Sequence, residues 1–66
     1  GPARYPDIEV QLTGTDPNAF MMIGTVRKAL RRAGVPAAEI EKFSADAKSG
    51  DYAHVQATIE KWVEIW

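Results

Sequence analysis

His54 is the only histidine in the sequence and therefore the first candidate for catalysis or metal binding. A general base needs a nucleophile or an orienting acid nearby, and a zinc site needs several further ligands. Asp51 lies on the same side of the predicted helix, but the spacing supplies no second partner. We therefore interpret His54 as a surface residue in the first turn of a helix.

The carboxylates and hydroxyls also lack a pattern with known chemistry. The acidic residues considered are Asp7, Glu9, Asp46 and Asp51, and none pairs in a metal-binding or acid/base arrangement. Ser44 and Ser49 have no nucleophile motif around them, and Gly14 and Gly24 do not form a phosphate-binding loop. We expect a protein that is not an enzyme and that carries no cofactor and no metal.

Four basic side chains form the most distinctive cluster: Arg27, Lys28, Arg31 and Arg32. On one helix they can meet phosphates or an acidic protein surface. The plainer interpretation is that cations suit the negative end of the helix and keep its exposed face soluble. No aromatic residue lies among them to stack on bases. We favour the plainer interpretation and retain the four residues as candidate partner-binding groups.

A second group of candidates combines methionine with tryptophan. Met21 points away from the apolar face of its predicted helix, and Trp66 is difficult to bury in so small a core. Exposed methionine and tryptophan are common at protein interfaces. The alternative is that Trp62 and Trp66 close the core at its edges. Both interpretations remain open, and Met21 and Trp66 join the candidate partner-binding residues.

Length and composition limit the classes of protein. The chain has 66 residues, no cysteine and a net charge of −1. These values exclude disulfides and thiolate metal sites. Residues 1–38 carry five basic and three acidic side chains, and residues 39–66 carry three basic and six acidic ones. This modest polarity is not typical of a dedicated nucleic-acid binder. With no apolar run near the ~20 residues of a membrane span, we expect a cytoplasmic protein.

The residues from Asp16 to Gly34 predict a central helix over about 17–33. Asp16 is the predicted N-cap, and Pro17 suits the first helical position. Gly34 is expected to take the left-handed conformation that ends the helix. The predicted apolar face consists of Ala19, Met22, Ile23, Val26, Ala29, Leu30 and Ala33. Phe20 is expected at one edge of that face.

The other elements follow from periodicity. Strict alternation over 8–12 predicts a strand with Ile8, Val10 and Leu12 on its buried side. Two further helices are predicted, one opened by Pro36 and closed by Gly50, the other capped by Asp51. Their apolar positions are Ala37, Ile40, Phe43 and Ala47, then Tyr52, Val55, Ile59 and Trp62. Residues 63–66 fit either a strand or the end of the last helix.

We prefer a C-terminal strand, because the first strand otherwise lacks a partner within the chain. The predicted fold is therefore α+β: a β-α-α-α-β chain with a two-stranded ribbon packed on three short helices. The alternative is β-α-α-α with the last helix running to the C-terminus. We assign residues 1–6 to a tag remnant (Gly1 and Pro2) and an N-terminal tail, and residues 7–66 to one small domain.

Several stretches resemble a group of short, uncharacterised bacterial and phage proteins. They are Leu12-Thr13-Gly14-Thr15-Asp16, Asn18-Ala19-Phe20, Ala29-Leu30-Arg31-Arg32-Ala33-Gly34 and Ser49-Gly50-Asp51-Tyr52. The resemblance covers nearly the whole chain, although the relatives usually have glycine where this chain has Pro17. Similar chains tend to end in an alternating, valine-rich segment. The resemblance implies a phage or mobile-element origin and brings no known activity.

Two functional hypotheses follow. The first is a non-enzymatic module that binds a protein partner or itself. The second is a ribbon-helix-helix-like dimer that binds DNA, in which a strand pairs with its twin and faces the major groove. Its outward residues here would be Glu9, Gln11 and Thr13, and Glu9 is poorly suited to an anionic groove. A third helix is also surplus to that architecture, so we favour the first hypothesis.

Overall fold

A computed structural model of the chain describes residues 2–66. Gly1, half of the predicted tag remnant, lies outside the described residues. The elements follow the order β1 (Tyr5–Val10), α1 (Ala19–Arg32), α2 (Ala37–Ala47), α3 (Tyr52–Trp62) and β2 (Val63–Ile65). The β-α-α-α-β prediction is therefore confirmed, and the alternative with a continuous last helix is wrong.

The start of α1 differs from the prediction by two residues. Asn18, not Asp16, is the N-cap, and its side chain accepts hydrogen bonds from the backbone N–H groups of Phe20 and Met21. Asp16 instead accepts a hydrogen bond from the N–H of Asn18, at 2.9 Å. Pro17 consequently precedes the helix. The Asp16 side chain therefore stabilises the turn before the helix, and the Asn18 side chain caps the helix itself.

The predicted end of α1 is confirmed. Gly34 has a φ of +84°. The N–H of Gly34 bonds to the carbonyl of Arg31, and the N–H of Val35 bonds to the carbonyl of Leu30, both at 3.0 Å. These two bonds define a Schellman motif, in which a residue with positive φ lets the chain turn back and pair the last carbonyls.

The N-terminal residues of the other two helices agree with the prediction, but Gly50 does not close α2, which ends at Ala47 with Lys48 as its C-cap, and Gly50 has no positive φ. Pro36 immediately precedes α2 as its N-cap. The Asp51 side chain accepts a hydrogen bond from the N–H of His54 at the start of α3, at 2.9 Å. Tyr52 differs from the prediction, since it is exposed, whereas Thr58 is buried one turn before Trp62. The buried face of α3 is therefore shifted towards its C-terminal half.

The two strands pair in parallel, with Tyr5 opposite Val63 and Val10 opposite Ile65. A bulge between Tyr5 and Glu9 takes up the extra residues of β1. The strand begins and ends earlier than the predicted 8–12, so Gln11 and Leu12 follow β1, whereas Tyr5 and Pro6 belong to it and not to the tail, and Ala3 before them is buried. The predicted alternation holds, with Val10 buried and its neighbours Glu9 and Gln11 exposed.

All three helices and both strands contribute to one core. Its most deeply buried large side chains are Phe43, Leu30, Ile59, Val26 and Val63. Ala33 and Ala37, predicted on apolar faces, are exposed because each lies at a helix end. Among residues 2–66, no helix combines the length and the apolar composition needed to cross a membrane. The core thus fixes α1 with one face inward and its opposite face on the surface.

Candidate functional site

The outward face of α1 carries the most exposed large apolar side chain of the described residues. Phe20 is 73% exposed, and Met21 beside it is 56% exposed. Together with Gly24, Thr25 and Lys28 they line a shallow concavity of about 250 Å³. The sequence thus placed Met21 correctly on the outside. We call Phe20, Met21, Gly24, Thr25 and Lys28 the α1 outer patch.

Gly24 lies in the middle of this patch. A methyl group added at Gly24 would meet nothing within 4 Å. Glycine in a helix interior lowers stability relative to alanine, so this position is not explained by packing within the domain. Thr25 beside it turns its hydroxyl back onto the carbonyl of Met21, at 2.9 Å. The centre of the patch is therefore open and free of bulky side chains.

The four basic residues of α1 do not act as one group. Arg27 bonds to Glu41 of α2 at 2.9 Å, and its side chain is 27% exposed. Among residues 2–66, no acidic side chain lies at ion-pair distance from Lys28, Arg31 or Arg32. Arg27 therefore joins two helices, which supports the structural interpretation for this residue. The other three remain exposed and available to a partner.

Lys28 and Arg32 also line a second groove, between β1 and α1. This groove has a volume of about 190 Å³, and β1 contributes Glu9 and Val10 to its other wall. Lys28 belongs to both concavities, so the groove is continuous with the α1 outer patch. Three of the six candidate partner-binding residues, Met21, Lys28 and Arg32, thus lie on one continuous surface.

Trp66 is not part of that surface. Its side chain is 59% exposed at the end of β2, and it lines neither α1 concavity. Its backbone continues the strand pairing, because its N–H bonds to the carbonyl of Val10 at 3.1 Å. Trp62, in contrast, is buried. The two tryptophans therefore differ: Trp62 belongs to the core and Trp66 to the surface.

His54 joins α3 to the end of α2. Its Nε2 lies 2.8 Å from the carbonyl oxygen of Asp46 and 3.1 Å from the hydroxyl of Ser49. The Asp46 carboxylate and the Thr58 hydroxyl approach the same nitrogen, at 3.5 and 3.3 Å. In a nucleophile–base–acid triad the nucleophile and the acid use different nitrogens of the ring. The contacts here match a side chain that pairs a C-terminal helix carbonyl.

A further concavity, about 400 Å³, lies between the loop before α1 and the helix α3. Its floor includes Met22 and Ile59, and its rim includes Asp16 and Glu60. His54 does not line it. Among residues 2–66, no three histidine or acidic side chains come together in a way that can hold a metal ion. This concavity therefore presents an apolar floor and separate carboxylates.

Phe20 is the large apolar residue of the α1 outer patch that the candidate group omitted. The helical spacing placed it at the edge of the apolar face, where its burial depends on what packs alongside. Phe20 lines both the concavity of the α1 outer patch and a neighbouring one, which is lined in part by Ala47 and Tyr52. The signal available in the sequence was a pair of large apolar residues, Phe20 and Met21, on adjacent positions of an otherwise one-sided helix.

Comparisons with known proteins add no relative from which a function can be transferred. No protein-family model matches this chain, and neither a curated protein nor a solved structure is significantly similar to it.

Proposed function

We propose that the chain is a non-enzymatic protein-interaction module that binds its partner through the α1 outer patch. The proposal includes a cytoplasmic location and a phage or mobile-element origin, both of which rest on the sequence alone. One observation carries the main claim: Phe20 and Met21 are exposed side by side while the core is closed by other residues. Aromatic and methionine side chains are enriched at the centres of protein interfaces.

The charges beside the patch support a protein partner. Lys28, Arg31 and Arg32 extend the surface from its apolar end towards the C-terminus of α1. An apolar centre with a charged rim is the usual composition of a protein interface. The partner surface that complements it combines apolar side chains with carboxylates.

The strand pairing favours this proposal over the ribbon-helix-helix alternative. In that architecture the first strand pairs with the same strand of a second chain. Here β1 pairs with β2 of its own chain, and α3 contributes Val55, Ile59 and Trp62 to the core. A mobility-shift assay at ~50 mM salt, where phosphate contacts are strongest, tests the DNA alternative directly.

The test of the proposal compares the exposed pair Phe20 and Met21 with another exposed apolar residue, Trp66. The wild-type protein, a Phe20→Ala/Met21→Ala variant and a Trp66→Ala variant are immobilised and exposed to the same bacterial lysate. Trp66 is the matched control, because its exposure of 59% lies between those of Met21 and Phe20 but it is outside the patch. We expect the double variant to capture at least ~10-fold less of the proteins that the wild type captures, as for interface hot spots. The Trp66→Ala control is expected to capture them like the wild type. Equal capture by all three proteins contradicts the proposal.

A further inference from the structure

The pairing of β1 leaves one of its edges free. The Val10 carbonyl accepts from the N–H of Trp66 at 3.1 Å, and the Leu12 N–H donates to the carbonyl of Trp66 at 2.7 Å. Alternate residues of a strand turn their main-chain groups to opposite sides, so those of Glu9 and Gln11 point away from β2. Among the described residues, no backbone group pairs with the N–H or carbonyl of Gln11. An unpaired edge of this kind is a template for another strand.

A groove runs along this free edge. The β1 residues form one wall, and Thr25, Lys28, Ala29 and Arg32 of α1 form the other. The buried Val10 lies at the base of the groove, together with the half-buried Ala29. A strand edge that faces a helix across a groove is the arrangement in which extended peptides add to a sheet.

The charge of the groove selects the kind of peptide. Lys28 and Arg32 are one helical turn apart, both are exposed, and neither has an acidic partner within residues 2–66. The only acidic residue of the lining is Glu9. Because side chains alternate along a strand and Val10 points to the helices, the Glu9 side chain points to the opposite face. The charged side chains on the α1 wall of the groove, Lys28 and Arg32, are therefore both basic.

We propose that the β1–α1 groove binds an extended, acidic segment of a partner protein, which adds to β1 as a third strand. Its main chain pairs with Glu9 and Gln11, and its carboxylates meet Lys28 and Arg32. This inference rests on the proposed function, because it specifies the partner of the same continuous surface. A third strand also extends a two-stranded sheet towards the size that is typically stable.

The first experiment selects peptides from a random seven-residue library displayed on yeast. We expect enriched peptides to alternate apolar with acidic residues. A Lys28→Glu/Arg32→Glu variant is expected to bind them at least ~10-fold more weakly. The matched control is Lys48→Glu/Lys61→Glu, which changes the net charge equally at exposed positions outside both the groove and the α1 outer patch. Failure to enrich acidic peptides, or equal losses in the two variants, overturns the proposal.

The second experiment tests the main-chain pairing. The selected peptide is synthesised with N-methyl groups on alternate amides, in both registers. We expect one register to lose binding and the other to keep it, since only alternate amides face β1. Amide exchange at Gln11 is expected to slow when the peptide binds. Equal binding in both registers, or unchanged exchange at Gln11, overturns the added strand.

Two further outcomes separate this inference from the proposed function. If the Phe20→Ala/Met21→Ala variant loses captured proteins while the Lys28→Glu/Arg32→Glu variant keeps them, the groove proposal fails and the proposed function holds. If the peptides bind as expected but the Phe20→Ala/Met21→Ala variant captures proteins like the wild type, the proposed role of the α1 outer patch is overturned and the groove proposal holds. A dimer in sedimentation whose Gln11 amide is protected without peptide overturns the groove proposal, because a second copy then occupies the edge.

Discussion

Two regions of the molecule use the same kinds of side chain in opposite ways. Around Trp62, the ring stacks on Tyr5 with centroids 5.9 Å apart and meets the edge of Phe43 at 5.6 Å. The guanidinium of Arg4 lies 4.8 Å above the same ring and forms an ion pair with Glu39. Every aromatic and cationic group of this cluster therefore has a partner within the chain.

The α1 outer patch and its basic neighbours contain an aromatic ring, a methionine and cations without such partners. Phe20 is exposed, and Lys28 lies at ion-pair distance from no acid among residues 2–66. The difference comes from what each side chain meets and not from residue type. The Trp62 cluster packs within the fold, whereas the large side chains of the α1 outer patch are exposed.

The largest expected effect comes from truncating the ring at the centre of the first region. Trp62→Ala removes a buried indole with its stacking partners, so we expect the free energy of unfolding to fall by about 3–5 kcal/mol. A domain of this size has roughly that much stability, so the variant is expected to be largely unfolded at 25 °C. Urea titration followed by far-UV circular dichroism measures the loss.

Phe20→Ala is the matched truncation in the second region. Exposed substitutions usually change stability by less than about 0.5 kcal/mol. A loss at Phe20 close to that at Trp62 would show that the α1 outer patch is part of the core and would remove the distinction between the two regions.

A smaller effect is expected at Gly50, where the space is already filled. A methyl group at this position would lie 2.7 Å from Cγ of His54, closer than real contacts allow. Gly50→Ala must therefore displace the ring that bonds to the Asp46 carbonyl, and we expect a loss of about 1–2 kcal/mol. Thermal melting of Gly50→Ala, His54→Ala and the double variant measures the coupling. Strictly additive losses would contradict the steric explanation.

The next smaller loss of stability is expected from a comparison of two basic residues, Arg4 and Lys28. Arg4→Ala removes a cation–π contact and a partly exposed ion pair, so we expect a loss of about 1 kcal/mol. Lys28→Ala removes no ion pair recorded within residues 2–66 and is expected to change stability by less than about 0.5 kcal/mol. Chemical denaturation of both variants measures the difference. A loss at Lys28 equal to that at Arg4 would show that Lys28 is already engaged within the domain.

The sequence predicted what depends on local patterns. Alternation identified the buried side of β1, and β2 was preferred over a longer last helix because β1 needed a partner. Gly34 and Asp51 were identified as helix-end residues because their roles need only neighbouring atoms. The N-cap of α1 was misplaced because Asp16 and Asn18 are both good capping residues. The choice between them depends on the path of the preceding turn.

The features that the sequence did not predict depend on contacts between residues far apart in the chain. Tyr5 was assigned to a tail because no alternation extends to it, yet its hydroxyl donates to Glu39 and its ring stacks on Trp62. Phe20 lies at the edge of an apolar face, and helical spacing alone does not say whether another element covers that edge. The sequence therefore identified Met21 and the basic residues of the candidate surface but did not identify Phe20.

The smallest change in stability is expected at Gly24, and its sign is opposite to that expected at Gly50. A methyl group here meets nothing within 4 Å, and alanine favours the helix interior over glycine. We expect Gly24→Ala to raise the free energy of unfolding by about 0.5–1 kcal/mol, measured by urea titration. If a partner backbone lies against the α1 outer patch, the same variant captures less of that partner although the domain itself is more stable. A variant that is stabilised and binds like the wild type would show that the partner does not approach this part of α1 closely.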